Sequence, residues 1–222
     1  YSITGTKNNQ YAIGQENYKE INISLNNNGD INLTGSNTTG IYGNYAKINN
    51  NGTIKVGDNG AGIFSSNSST AINTGDIDFG NGSIGIYGVN NYGTRVASTY
   101  DQINITMNSG TITATGATEG YGIYANNTKG SGYSTVKFNS GLIDMSGISA
   151  TDRDKAVAVT VRDTTLNSSG DINTAENGIA FYIENGKTSI TNGTINLDKD
   201  NSIGLALQGV QGTDFTGTGA TF

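Results

Sequence analysis

Two carboxylates, Asp76 and Asp78, have the spacing that acid–base chemistry would require. Two residues apart on one strand, they project from the same face. A carboxyl pair roughly 5–9.5 Å apart across a glycosidic bond is the apparatus of sugar hydrolysis. However, Lys55 falls one repeat before Asp78 and sets a positive charge beside it, and a flat strand face has no cleft to raise a carboxyl pKa. Asp198, Asp200 and Asn201 share one turn and are oxygen ligands of the calcium type, but neither EF-hand spacing nor the glycine-rich calcium nonapeptide accompanies them. The chain contains no histidine and no cysteine, so imidazole bases, thiolate nucleophiles and the usual zinc sites are excluded. We therefore expect no catalytic residue, no metal site and no cofactor, and a chain that is not an enzyme.

Recognition chemistry is better represented. Tyr92, Arg95, Tyr100, Lys129 and Tyr133 put aromatic rings and positive charge into two polar stretches, near 89–102 and 126–135. Rings and cations on loops held by a rigid scaffold are a common binding arrangement, so these five are the candidate partner-binding residues. The competing reading is that the loops are neutral insertions, which chain corners tolerate well. A third stretch, near 146–155, carries Asp152, Arg153, Asp154 and Lys155, whose alternating charges read as a solvated loop. Tyr42, Phe64, Tyr87, Tyr124 and Tyr182 each follow an inward apolar residue and should form one outward stripe. Such a stripe can stack on sugar rings or grip a partner. A glycine or alanine lies two residues before each ring, which favours a structural role in which the rings cover bare backbone on the same outer face.

The elements that position these residues come from a repeat. Seven times a small polar residue, a glycine, one variable residue and an isoleucine occur in that order, at Gly29, Gly52, Gly75, Gly110, Gly141, Gly170 and Gly193. Successive glycines are 23, 23, 35, 31, 29 and 23 residues apart, a floor of 23 with longer exceptions. That is a solenoid that tolerates loops. Within each unit the apolar residues alternate, which is strand periodicity. One strand follows each glycine (Ile31-Asn32-Leu33, Ile54-Lys55-Val56), one precedes it (Ala46-Lys47-Ile48, Val136-Lys137-Phe138), and a third lies between (Gly62-Ile63-Phe64, Gly85-Ile86-Tyr87). Three strands in 23 residues predict an all-β, three-sided parallel β-helix of about eight coils. Right-handed connections are the default for parallel strands. Ile31, Ile54, Ile77, Ile112, Ile143, Ile172 and Ile195 should be buried in one column. Asn27, Asn50, Asn73, Asn108 and Asn139 should stack as an amide ladder beside the corner glycines. Those glycines are expected for their tolerance of positive φ.

Composition narrows the partners. With 18 acidic and 12 basic residues the net charge is −6, which argues against a nucleic-acid partner. No apolar run approaches the ~20 residues of a membrane span, and no signal peptide opens the chain. The pattern begins at Tyr1 and ends at Phe222 inside strand-like sequence, so residues 1–222 are expected to be a single β-helical segment of something longer, and a monomer.

The repeats Asn50-Asn51-Gly52-Thr53-Ile54 and Gly85-Ile86-Tyr87-Gly88, echoed at Thr39-Gly40-Ile41-Tyr42-Gly43 and Gly122-Ile123-Tyr124, resemble the passenger domains of the large type V autotransporter adhesins of fusobacteria. The resemblance covers the whole chain. It implies an outer-membrane protein whose passenger is displayed outside the cell and attaches to a receptor, protein or glycan, on host cells or other bacteria. Contact with the membrane would be made only by a C-terminal β-barrel absent from this sequence. The alternatives are a passive stalk that raises a distal adhesive tip and, further off, a polysaccharide-degrading β-helix enzyme.

Overall fold

A computed structural model describes residues 1–15, 23–90, 102–127, 134–209, 214–219 and 221. These residues contain no helix and form three parallel sheets of eight strands each. The chain visits the sheets in strict rotation, one strand per sheet per coil, and so forms the expected three-sided parallel β-helix. The first sheet runs from Ser2–Gly5 to Ile195–Asn196, and the third from Ile23–Asn27 to Asp214–Thr218. The second, which carries the candidate site, stacks Tyr11–Gln15, Thr39–Asn44, Ala61–Ser66, Ser83–Val89, Gly120–Asn126, Ala156–Arg162, Ile179–Glu184 and Ile203–Gln208.

The isoleucine column sets the register of the first sheet. Ile3, Ile31, Ile54, Ile77, Ile112, Ile143, Ile172 and Ile195 pair rung upon rung. The seven expected members are at most 1% exposed. Each contributes roughly 1.5–3 kcal/mol by burial, and a one-residue slip would turn the whole column to water. Phe79, Phe138 and Phe181 fill the interior alongside them.

The corner glycines are needed for a different reason from the expected one. Gly110, Gly141 and Gly193 have positive φ, but Gly29, Gly52, Gly75 and Gly170 do not. The column is crowded along the rod axis: a Cβ on Gly52 would lie 2.0 Å from the Gly29 carbonyl oxygen, and one on Gly75 would lie 1.9 Å from that of Gly52. Close stacking of backbone on backbone, and at Gly170 of the Phe138 ring on backbone, excludes a side chain there whatever the sign of φ. The left-handed corner positions fall largely on asparagines instead, as at Asn37, Asn59, Asn177 and Asn201, where a short amide tolerates that conformation.

The amide ladder forms in two pieces. Asn27 donates to Asn50 at 2.8 Å and Asn50 to Asn73 at 2.7 Å, all three fully buried. Asn73 then turns its amide to the carbonyl of its own corner glycine, Gly75, at 2.8 Å. In the next coils Met107 and Phe138 take over that inward column. Asn108 and Asn139 lie one residue further on, on the outside, where Asn139 donates to Asn108 at 2.9 Å. The extra residues also divide by corner. Between the second and third sheets fourteen residues separate the strands after Val89 and seven after Asn126, on consecutive coils; one to three suffice in four other coils (one at Tyr45 and at Asp163), while seven separate them in the first coil and five in the last. The third insertion joins the first sheet to the second.

Candidate functional site on the second sheet

The outer face of the second sheet carries a column of one residue per coil: Gly14, Tyr42, Phe64, Tyr87, Tyr124, Thr160, Tyr182 and Ala206 pair in that order. Its rings touch. Centroids lie 5.3 Å apart for Tyr42 and Phe64, 4.8 Å for Phe64 and Tyr87, which are stacked, and 5.6 Å for Tyr87 and Tyr124, which meet edge to face. Tyr11 extends the series, 6.5 Å from Tyr42, by laying its ring over Gly14.

The stripe faces outward as expected, but its glycines do not sit bare on that face. A Cβ on Gly85 would meet Ile112 Cγ2 and the Gly122 carbonyl oxygen, both at 2.6 Å, and Gly40, Gly62 and Gly122 are confined in the same way. The chain kinks at each glycine, so that it and the following isoleucine both point into the core. Room for the isoleucine column, not cover by a ring, requires the glycine.

At Thr160 the ring column breaks. Tyr124 and Tyr182 then flank a cleft of ≈ 190 Å³, lined also by Tyr121, Val157, Ile179, Asp154 and Arg162. Tyr121 meets Tyr124 edge to face at 5.3 Å and donates its hydroxyl to the Asp154 carbonyl at 3.0 Å. The Arg162 guanidinium lies 5.8 Å from the centre of the Tyr124 ring, within cation–π range. Arg162 Nε also approaches Glu184 Oε2 to 3.0 Å, an ion-pair contact rather than an aligned hydrogen bond. Tyr182 donates its hydroxyl to Gln208. Burial, with the Asp154 charge and Tyr124 as lesser causes, pushes the Tyr121 phenol above its usual value; burial and then Tyr124 do the same at Tyr87. Both rings are held neutral. No family model, no curated protein and no solved structure matches this chain.

Tyr92, Arg95, Tyr100, Lys129 and Tyr133 lie outside the described residues, as does most of the two loops that carry them. Asp78 is on the first sheet and Asp76 stands just before its strand, Ile77–Phe79, so the two do not share a strand as expected; both lie away from the cleft and both are occupied. Asp76 accepts the Thr111 amide at 2.8 Å, and Asp78 pairs with Lys55 at 2.7 Å and accepts the Thr115 hydroxyl at 3.1 Å. Asp198 and Asp200 border an open hollow with Glu176 and Lys199. Among the described residues no group of three or more acidic, histidine or cysteine side chains could hold a metal ion.

The third insertion is only partly the solvated loop its charges suggested. Ile148 and Ala150 are buried in the core, Ser149 bridges to Glu176, and Asn177 donates to the Ala150 carbonyl at 2.8 Å. Residues 151–155 are exposed. Lys155 pairs with Glu119 at 3.2 Å, a contact that raises its pKa through the hydrogen bond first. This exposed tip forms one lip of the cleft through Asp154. Tyr121, Thr160 and Arg162 had not been singled out from the sequence. The available signal was the register, because Thr160 stands where five other coils have a ring.

Proposed function

We infer that this chain is a surface-displayed adhesive segment that attaches a cell to host cells or to other bacteria through side chains carried on the outside of a rigid rod. The observation that supports the reading best is where the chain departs from its period. Four of the corners between the second and third sheets take one to three residues, yet two consecutive coils in the middle of the rod lengthen that same corner to fourteen after Val89 and seven after Asn126. A spacer has no use for extra chain placed coil upon coil at one edge. Tyr92, Arg95, Tyr100, Lys129 and Tyr133 in those lengthened corners supply rings and cations suited to a protein or glycan receptor. An extracellular passenger of an outer-membrane protein, secreted by the type V route, fits this role and the resemblance of the repeats.

The stalk reading draws on the coils whose corners take one to three residues, which supply length and nothing else. Binding of the 222-residue chain to cells and to a glycan array separates the two. Replacing Tyr92, Arg95, Tyr100, Lys129 and Tyr133 by alanine should abolish attachment and leave the melting temperature in place. Absence of attachment by the folded parent would favour the stalk. The polysaccharide-degrading alternative predicts depolymerisation that Asp76→Asn or Asp78→Asn removes; the structural partners of both carboxylates speak for no activity to lose.

A further inference from the structure

Charge is sorted between two faces of the rod. The outer face of the third sheet carries Lys47, Lys137 and Lys187 against one acid, Asp214. The outer face of the first carries Asp30, Asp78, Asp144 and Asp171, with Asp76 just before its strand, against one cation, Lys55. The three lysines are exposed, and none has an ion-pair partner among the described residues. Their order along the axis is complementary to that of the acids. On the third sheet Lys187 lies two rungs from Lys137, and Lys137 three from Lys47. Counted in the opposite direction on the first sheet, Asp30 lies two rungs from Asp78, and Asp78 three from Asp171. With strands about 4.8 Å apart, both series step by about 9.6 and then 14.4 Å. The offset across the face matches as well. Lys137 stands two residues further along its strand than the column of Lys47 and Lys187, and Asp78 two residues further than the column of Asp30 and Asp171.

We propose that the third sheet of one chain docks on the first sheet of a second copy, with the two rod axes opposed. In that arrangement the strands in contact run the same way, so the offsets superpose and each lysine faces an aspartate: Lys47 on Asp171, Lys137 on Asp78, Lys187 on Asp30. The same register brings Ile72 level with Leu142, the one partly exposed large apolar side chain on each of these faces. It sets no like charges opposite one another, since Lys55 meets Asn167 and Asp214 meets Ser2. Rods pointing the same way have no shift that brings all three lysines level with an aspartate. Each face measures about 38 by 13 Å, or about 500 Å² per partner, which is the weak end of specific contacts. Charge complementarity gives such a contact its register more than its strength. One face of each kind per molecule makes the contact heterologous, so it extends to a lateral array and departs from the expected monomer. Rods on one surface point the same way, whereas opposed rods belong to two facing surfaces. The use of the contact therefore rests on the adhesive reading and names the bacterial partner: another cell displaying the same chain.

Sedimentation of the 222-residue chain tests the contact, at concentrations up to on the order of 1 mM, which tethered chains reach side by side. Association is expected at low ionic strength and should be lost in about 0.5 M salt. Lys47→Glu with Lys187→Glu should abolish it, as should Asp30→Lys with Asp171→Lys, and mixing the two folded variants should restore it. Because the chain has no cysteine, single cysteines report the direction of the rods. Under mild oxidation a mixture of Lys47→Cys and Asp171→Cys should cross-link, and one of Lys47→Cys and Asp30→Cys should not. A parent that stays monomeric, association indifferent to charge reversal, or cross-linking only in the second mixture would overturn the contact. So would heparin binding through the three lysines without self-association, which would put a polyanion in place of the second copy. Cell attachment, measured in parallel, separates the two inferences. A parent that self-associates in this register yet joins no cells overturns the adhesive reading and keeps the contact. One that attaches through its loop residues and remains monomeric overturns the contact alone.

Discussion

At Gly85 a missing methyl group decides whether two coils can close. The Cβ that any other residue would add lies 2.6 Å from both Ile112 and the Gly122 carbonyl. Gly85→Ala should therefore cost about 1–3 kcal/mol by overpacking, read from denaturant midpoints. Ala158 and Ala180 stand at the equivalent rungs and are fully buried, so Ala158→Gly should cost only the ~0.5–1 kcal/mol of added backbone freedom. The phenols make a second residue-scale prediction. Tyr87 and Tyr121 titrate above the ordinary value of 10.0 in the folded chain. Above pH 10.0 the unfolded chain releases these protons first, so the folded form holds more of them and stability falls as pH rises. The melting temperature should drop as pH rises past 10.0, and Tyr87→Phe should shallow that drop.

Within a sheet, stability follows columns, and the columns are not equivalent. Asn50 is the middle rung of the buried amide ladder, accepting from Asn27 and donating to Asn73. Asn50→Ala leaves a buried donor and a buried acceptor unmet and should cost about 1–3 kcal/mol, whereas Asn139→Ala, on the exposed pair, should stay within about 0.5 kcal/mol. Both are measurable by chemical denaturation. The two pieces also show how much could be read from the sequence. The isoleucine column was legible because it recurs at a fixed offset from a glycine, and period-two alternation assigns its face without ambiguity. The Asn ladder was legible in kind but not in extent, since Asn108 differs from Asn73 by a one-residue offset that only the pairing of Met107 with Asn73 exposes. Inward-pointing glycines were misplaced because period-two counting fails at a kink, where Gly85 and Ile86 share a side. The cleft was hidden for a related reason: Thr160 becomes informative only once the coils are in register and Asp154, at the exposed tip of the third insertion, is seen beside it.

For the whole molecule, each coil packs on the coil before and the coil after, so stability is close to a sum of coil terms and nearest-neighbour terms. Ile112→Ala should remove about 2–5 kcal/mol from one middle rung. In place of a uniform loss, it should split the unfolding transition, with hydrogen exchange fastest around residues 111–114 and slower toward either side. A single sharp transition with uniform exchange would contradict that picture. The repeat spacing has a kinetic consequence as well. The Asn27–Asn50 and Asn50–Asn73 bonds each join residues 23 apart in the chain, and that separation does not grow as coils are added. Folding rates of small domains fall as contacting residues lie further apart in sequence. A rod of this kind therefore avoids the slowing that long β-structures otherwise suffer, because every arriving coil has only its predecessor to find. A chain delivered from one end can solidify by accretion, with the last finished coil serving as the mould for the next.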